Sequence, residues 1–187
     1  LLGPVFTAGV ILYDIKSNSP PYPIKDSKKC SEKVREELRK YIEQNSIAFS
    51  VEKIDSDRID KVNILNATME CMEKCVDNIT SVISVDRLLV DGNTFPTYMD
   101  KFTFDFIPHV CIPGGDDKYL NIAAASILAK EYRDEYILKL CETNNNLDKY
   151  DIKNNKGYGT KSHMEALKEF GPTEFHRKSF KPCQMKK

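Results

Sequence analysis

Hydrophobic and polar positions along the chain switch between a strand-like and a helix-like period. Residues 4–13 are apolar and rich in β-branched types, which predicts a strand. Residues 14–23 carry Ser, Asn and three Pro and predict a loop. Ser31 has the chemistry of an N-cap, and a helix is expected from there to about Gln44. Residues 47–54 alternate as a second strand. Residues 59–77 place Ile59, Val62, Ile64, Leu65, Met69 and Met72 mostly at helical spacing and predict one helix.

Leu88-Leu89-Val90 is an apolar run suited to a short strand covered on both faces; it ends on Asp91 and is stopped by Gly92-Asn93. Residues 104–111 predict another strand, which Pro108 confines to an edge or demotes. Gly114-Gly115-Asp116-Asp117 predicts a turn. Residues 121–140 predict a helix whose first half, small and apolar all round, is buried, and whose charged second half is wetted. Residues 143–156 are Asn- and Lys-rich without a period and predict a mobile loop. Residues 162–170 predict a short amphipathic helix ended by Gly171-Pro172. The tail that follows is basic (Arg177, Lys178, Lys181, Lys186, Lys187). The alternation of strands and helices argues for an α/β fold with a mixed sheet.

Composition narrows the partners more than the fold. A chain of 187 residues is long enough for one domain with a small appendage. Its formal net charge is zero, so a nucleic-acid partner needs a local basic patch. Charged residues make up 30% and hydrophobic ones 41%, a soluble globular profile, and no apolar run approaches the roughly 20 residues of a membrane span. No signal-peptide pattern is present. None of the six cysteines forms C-x-x-C. Cys71 and Cys75, four apart, resemble half a zinc site, but no second pair follows, so free thiols in a reducing, cytoplasmic compartment are expected. The opening Leu1-Leu2-Gly3-Pro4-Val5 has no polar lead-in, and the chain is expected to begin inside a longer one.

Three stretches offer chemistry. Asp91 closes a buried strand, where open α/β sheets place their ligand sites, although Asp also simply starts turns. Asp116 and Asp117 follow 25 and 26 residues later in a glycine turn. Carboxylates converging at one sheet edge suit Mg²⁺ or Mn²⁺, and a pair of such ions about 4 Å apart can drive phosphodiester hydrolysis; turn formation is the commoner role for Gly-Asp. Asp26-Ser27-Lys28-Lys29, ahead of a helix, can hold a phosphate or merely cap it. Gly157-Tyr158-Gly159-Thr160-Lys161-Ser162-His163 also precedes a helix; Tyr158 can stack on a sugar or base, and Thr160 or Ser162 can cap.

Together and in this order, these stretches resemble ribonuclease HII, the type 2 ribonucleases H. The resemblance rests on Asn121-Ile122-Ala123-Ala124-Ala125-Ser126-Ile127-Leu128-Ala129-Lys130 with Arg133-Asp134, and on Gly157-Tyr158-Gly159-Thr160 with His163, Gly171-Pro172, His176-Arg177 and Ser179-Phe180. Leu88-Leu89-Val90-Asp91-Gly92, Asp26-Ser27-Lys28-Lys29 and Asn63-Ile64-Leu65-Asn66-Ala67-Thr68 also fit, so it covers essentially the whole chain.

The resemblance implies a ribonuclease H-like fold, a mixed five-stranded sheet flanked by helices with a small helical C-terminal part. The expected organisation is a catalytic domain over 1–141 and a C-terminal loop, helix and tail over 142–187 that complete the substrate site. It implies an Mg²⁺- or Mn²⁺-dependent endoribonuclease, acting as a monomer, that cleaves RNA in RNA/DNA hybrids and incises duplex DNA 5′ of embedded ribonucleotides. Four carboxylates hold the metals in the family; one falls on Asp91, and another, ten residues before Ser126, falls on Asp116 and not Asp117. Asp134 is expected to be a structural partner for a nearby base. Tyr158 matches the tyrosine that packs on the sugar at the junction, and Lys28 a phosphate-contacting lysine. The remaining two carboxylates belong to an Asp-Glu-x-Gly-Arg-Gly segment, expected upstream of Leu1; the chain without it is expected to be inactive. Gly114 stands where many relatives carry Lys. The alternatives are a non-catalytic hybrid-binding protein and, more remotely, a magnesium-dependent phosphotransferase, for which no Gly-rich phosphate loop is present.

Overall fold

The computed structural model describes residues 1–13 and 19–184. Part of the loop expected over 14–23, and the final lysines of the basic tail, lie outside them. The described chain divides into two compact units, one comprising Leu1–Val5, Lys53–Thr68 and Tyr132–Lys187, the other Phe6–Glu52 and Met69–Glu131.

The first strand, β1 (Val5–Leu12), pairs with β2 (Ser46–Ile54). Between them α1 (Glu32–Asn45) starts where expected: the Ser31 hydroxyl accepts the Val34 N–H at 3.4 Å. The long α2 (Ser56–Thr80) follows β2, then β3 (Leu88–Asp91), the two-residue strands β4 (Tyr98–Met99) and β5 (Phe106–Ile107), and β6 (His109–Ile112). β3 runs parallel to β6, with Asp91 opposite Ile112, and β4 is antiparallel to β5. Parallel and antiparallel pairing therefore both occur, but the described strands associate in twos rather than in one five-stranded sheet. α3 (Leu120–Thr143), α4 (Ile152–Asn155) and α5 (Lys161–Phe170) complete the chain.

Four local expectations are corrected. The apolar period across residues 59–77 conceals a break: Asn63 takes φ 68° and ψ 167° inside α2. Its side-chain oxygen accepts the Asn66 N–H at 3.0 Å and caps the second segment, holding a backbone of positive φ and extended ψ that glycine adopts most readily. Pro108 divides residues 104–111 into two short strands, because it cannot donate to a ladder. β3 is not covered on both faces, since Val90 is buried while Leu89 is exposed. Residues 143–156 are not a structureless loop. They form a 3-10 turn (Asn145–Tyr150) and α4, and Leu147, Tyr150 and Ile152 are fully buried. Three apolar anchors hold a segment whose surrounding Asn and Lys residues suggested otherwise.

Each unit has its own core. In the larger unit Val90, Phe95, Tyr98 and Ile107 pack together, flanked by Met69, Met72 and Val76 of α2. In the smaller unit Leu2, Ile137, Leu147, Tyr150, Ile152 and Leu167 form a continuous cluster. Arg177, read as part of a basic tail, is an internal group: Nε donates to the Gly3 carbonyl (2.9 Å) and Nη2 to that of Pro4 (3.0 Å). Burial, and then nearby Arg133, pull its pKa down to about 10.

Candidate functional site

The carboxylates of the larger unit gather where β3 ends and a glycine turn follows β6. Gly114 adopts a left-handed φ of 64°, turning the chain into a short 3-10 segment, Gly115–Asp117. Gly115 sits so close to α3 that a Cβ there would lie 2.6 Å from the Ile122 side chain. Asp91 ties the turn to the sheet, its Oδ1 accepting the Gly115 N–H at 2.9 Å. Asp116 is thereby held buried, while Asp117 stays exposed and pairs with Lys29 at 2.6 Å.

The third element is the turn at 26–29. Asp26 is buried, and its Oδ1 accepts the Lys28 N–H at 2.9 Å. Ser27 Oγ lies 2.9 Å from Ser126 Oγ and fastens this turn to α3. The small residues at the start of α3 allow that approach; Ala123 and Ala124 are buried. Oxygen atoms of Asp26, Asp116 and Asp117 all lie within 4.8 Å of one another. The Lys28 ammonium, largely exposed, is 3.9 Å from both Asp26 and Asp116.

These charges act on Asp116. Burial first, then the Asp26 and Asp91 carboxylates, raise its pKa above the ordinary value of 3.8, and Lys28 offsets part of this. A buried carboxylate crowded by like charges favours a proton or a cation. Hard oxygen donors at this spacing match the ligand chemistry of Mg²⁺ or Mn²⁺, so the residues present fit such an ion. Asp91, expected beside Asp116 from the sequence, bonds the residue before it but is not one of the three clustered carboxylates. Asp26 was read as part of a phosphate-binding stretch. No spacing signal marks it as a neighbour of Asp116; the Ser27–Ser126 contact and the Lys28–Asp116 and Lys29–Asp117 ion pairs bring it there.

Tyr158 belongs to the smaller unit and is half exposed. The Arg133 guanidinium lies over its ring at 4.7 Å. Asp134 is buried with its carboxylate 3.8 Å from Arg133 Nη1, the structural partnership expected of it. Gly157 has a φ of 79°, and a Cβ there would meet the Leu2 carbonyl at 2.9 Å, so glycine is required. Thr160, not Ser162, caps α5 by accepting the His163 N–H.

Cys71 and Cys75 are buried, and burial raises both thiol pKa values, that of Cys75 to about 11. Cys75 donates to the Thr7 carbonyl at 3.5 Å, the behaviour of a packed thiol rather than a zinc ligand.

A sequence profile of ribonuclease HII matches residues 1–183. Ribonuclease HII of Bacteroides fragilis is 43% identical over 180 residues, covering 96% of this chain and 83% of that protein. Ribonuclease HII of Christiangramia forsetii is 43% identical over 188 residues, covering 100% and 88%. The ribonuclease HII in the PCNA complex from Archaeoglobus fulgidus superposes with a TM-score of 0.66 at 26% identity, covering 90% of this chain and 80% of that one. Ribonuclease H2 from Pyrococcus horikoshii shares the fold with a TM-score of 0.67 at 18% identity, covering 97% and 95%. The ribonuclease H-like α/β fold expected from the sequence is therefore present, and the chain belongs to the ribonuclease HII family.

Proposed function

We propose that this protein is a metal-dependent endoribonuclease that cleaves RNA in RNA/DNA hybrids and incises duplex DNA on the 5′ side of an embedded ribonucleotide. Membership of the ribonuclease HII family supports the activity. The observation that carries the chemistry is Asp116, buried against other carboxylates and raised in pKa, a group that gains from a bound cation. On this reading Asp91 and Asp116 are metal ligands, and Asp91 also holds the turn that presents Asp116. Bound there, Mg²⁺ or Mn²⁺ would supply an activated water and charge stabilisation at the leaving oxygen. The exposed Lys28 is placed to meet a substrate phosphate. Tyr158, within residues 142–187, offers a half-exposed ring for the sugar at the junction.

On this reading it acts as a monomer. Among the described residues no helix is long and apolar enough to cross a membrane. The six free cysteines, five of them buried, support work in a reducing, cytoplasmic setting. The test is incision of a DNA duplex with one embedded ribonucleotide in Mg²⁺ by the full-length protein. Wild type is expected to cut 5′ of the ribonucleotide, and Asp91→Asn at least about 10²-fold more slowly, as for loss of a metal contact. Equal rates would refute the assignment. Hybrid binding without cleavage by wild type would favour a non-catalytic binding protein instead.

A further inference from the structure

The smaller unit contains two histidines that the proposed chemistry does not use. His163 and His176 are 0% and 1% exposed, and their Nε2 atoms are 3.0 Å apart. Each outer nitrogen has a partner whose role is fixed. His176 Nδ1 lies 3.0 Å from the Thr173 backbone nitrogen, which can only donate, and 2.8 Å from Thr173 Oγ1, which can donate or accept. His163 Nδ1 lies 2.9 Å from the Tyr158 carbonyl oxygen, which can only accept. One neutral arrangement satisfies all four atoms. His176 takes the Thr173 N–H at Nδ1 and carries its proton on Nε2, which donates to His163 Nε2. His163 then carries its proton on Nδ1, which donates to Tyr158. A second proton on either ring would set two N–H groups against each other.

The relay ends on the residue read as the substrate-facing tyrosine. The Tyr158 carbonyl also accepts the Thr160 N–H at 2.9 Å, and the Tyr158 N–H donates to the Asn155 carbonyl at 2.9 Å. The backbone of Tyr158 is thus pinned on both sides by buried groups, while its ring stays half exposed under Arg133. Simple core packing is the competing account, since Tyr150 lies edge-on to His163 and tilted to His176, with ring centroids 6.1 Å and 5.0 Å away. Packing alone does not need a hydrogen-bond direction that ends at Tyr158.

We propose that His163 and His176 are positioning residues which, through a one-way hydrogen-bond relay into the Tyr158 carbonyl, hold that side chain for contact with the junction sugar. The proposal rests on the reading of Tyr158 given above. It distinguishes two substitutions at one position. In His163→Asn the side-chain amide takes the place of Nδ1–H and keeps the bond to Tyr158 while losing His176. In His163→Gln the amide reaches the Nε2 position, keeps His176 and loses Tyr158. Each gives up one buried hydrogen bond, so a structural role predicts similar losses.

The experiment uses the full-length protein and takes the ratio of kcat/KM on a duplex with one embedded ribonucleotide to that on a uniform RNA/DNA hybrid, which offers no junction sugar. Tyr158→Ala and His163→Gln are expected to lower that ratio about tenfold, in line with the cost of misplacing a substrate contact. His163→Asn should restore it to within about twofold of wild type. Equal ratios for the Asn and Gln variants, with Tyr158→Ala still defective, would overturn the relay and leave Tyr158 intact. An unchanged ratio for Tyr158→Ala would overturn the reading of Tyr158 and the relay with it. Should the histidine variants fail to fold, ¹⁵N spectra of wild type decide the matter. The relay requires His163 protonated at Nδ1 and His176 at Nε2 at neutral pH, and the opposite tautomers would refute it.

Discussion

The carboxylate cluster and the tyrosine platform solve opposite problems. Around Asp116 the fold brings like charges together, and the crowding raises the pKa of a buried acid. Around Tyr158 the fold pairs each relay nitrogen with a complementary partner and keeps two buried imidazoles neutral; burial, then the neighbouring His163, pull the His176 pKa down to about 3. The first region is incomplete by itself and gains from a cation. The second has its relay nitrogens already paired. A site that binds metal needs unsatisfied charge, whereas a site that reads shape needs rigidity.

Breaking the comparison on the cluster side should have the largest effect. Asp116→Asn removes a proposed metal ligand and one charge from the crowded group. Cleavage of an embedded ribonucleotide, measured by gel assay in Mg²⁺, is expected to fall by more than about 10²-fold. The same substitution should raise the metal-free melting temperature by about 2–4 °C, corresponding to about 1 kcal/mol, because repulsion at a buried carboxylate is relieved. On the platform side, Tyr158→Ala should cost about tenfold in single-ribonucleotide incision while leaving Mn²⁺ affinity, measured by calorimetry, within about twofold. Equal loss of both would contradict the separation of roles.

The two regions should also respond to pH with opposite sign. The folded-state pKa of Asp116 lies above 3.8, so its contribution to stability is present in acid and is lost as pH rises through that raised value. His176 is depressed from 6.5 to about 3, so its contribution is complete above 6.5 and is lost as pH falls toward about 3. His163 is shifted the same way by burial. Denaturant titrations of metal-free protein should show stability falling by up to about 1.4 kcal/mol per pH unit per histidine below pH 6.5. A His163→Asn/His176→Asn double variant should flatten that slope. The smallest effect is expected at the break in α2. Asn63→Ala keeps a Cβ at φ 68° and ψ 167° and removes the cap on Asn66; it should cost about 1 kcal/mol in chemical denaturation, whereas Asn63→Gly, free of that Cβ, should cost less.

Much of this was legible in the sequence wherever cause and consequence are close along the chain. Ser31 announces its cap, Thr160 and Ser162 together that of α5, Gly114 its turn, and Asp91 its strand end, because each depends on neighbours within a few residues. The break at Asn63 was hidden because the apolar period continues through it. The order within residues 143–156 was hidden because three buried side chains outweigh an Asn- and Lys-rich composition. Asp26 and the His163–His176 relay were beyond local reading. Asp26 reaches Asp116 through contacts distant in sequence, Ser27 with Ser126 and Lys29 with Asp117, and the direction of the relay follows only once Thr173 and Tyr158 are seen at its two ends.

On the proposed reading Asp116 is a cation ligand held in a cluster that repels itself. Thermal melts of the full-length protein and its Asp116→Asn variant, each with and without saturating Mg²⁺ at neutral pH, test this most directly. At 100-fold over its dissociation constant the ion should stabilise wild type by about 2.7 kcal/mol, or about 5–10 °C. The variant should melt higher than metal-free wild type and respond little to the ion. Equal Mg²⁺ shifts in both proteins, or a variant that melts lower without metal, would contradict it.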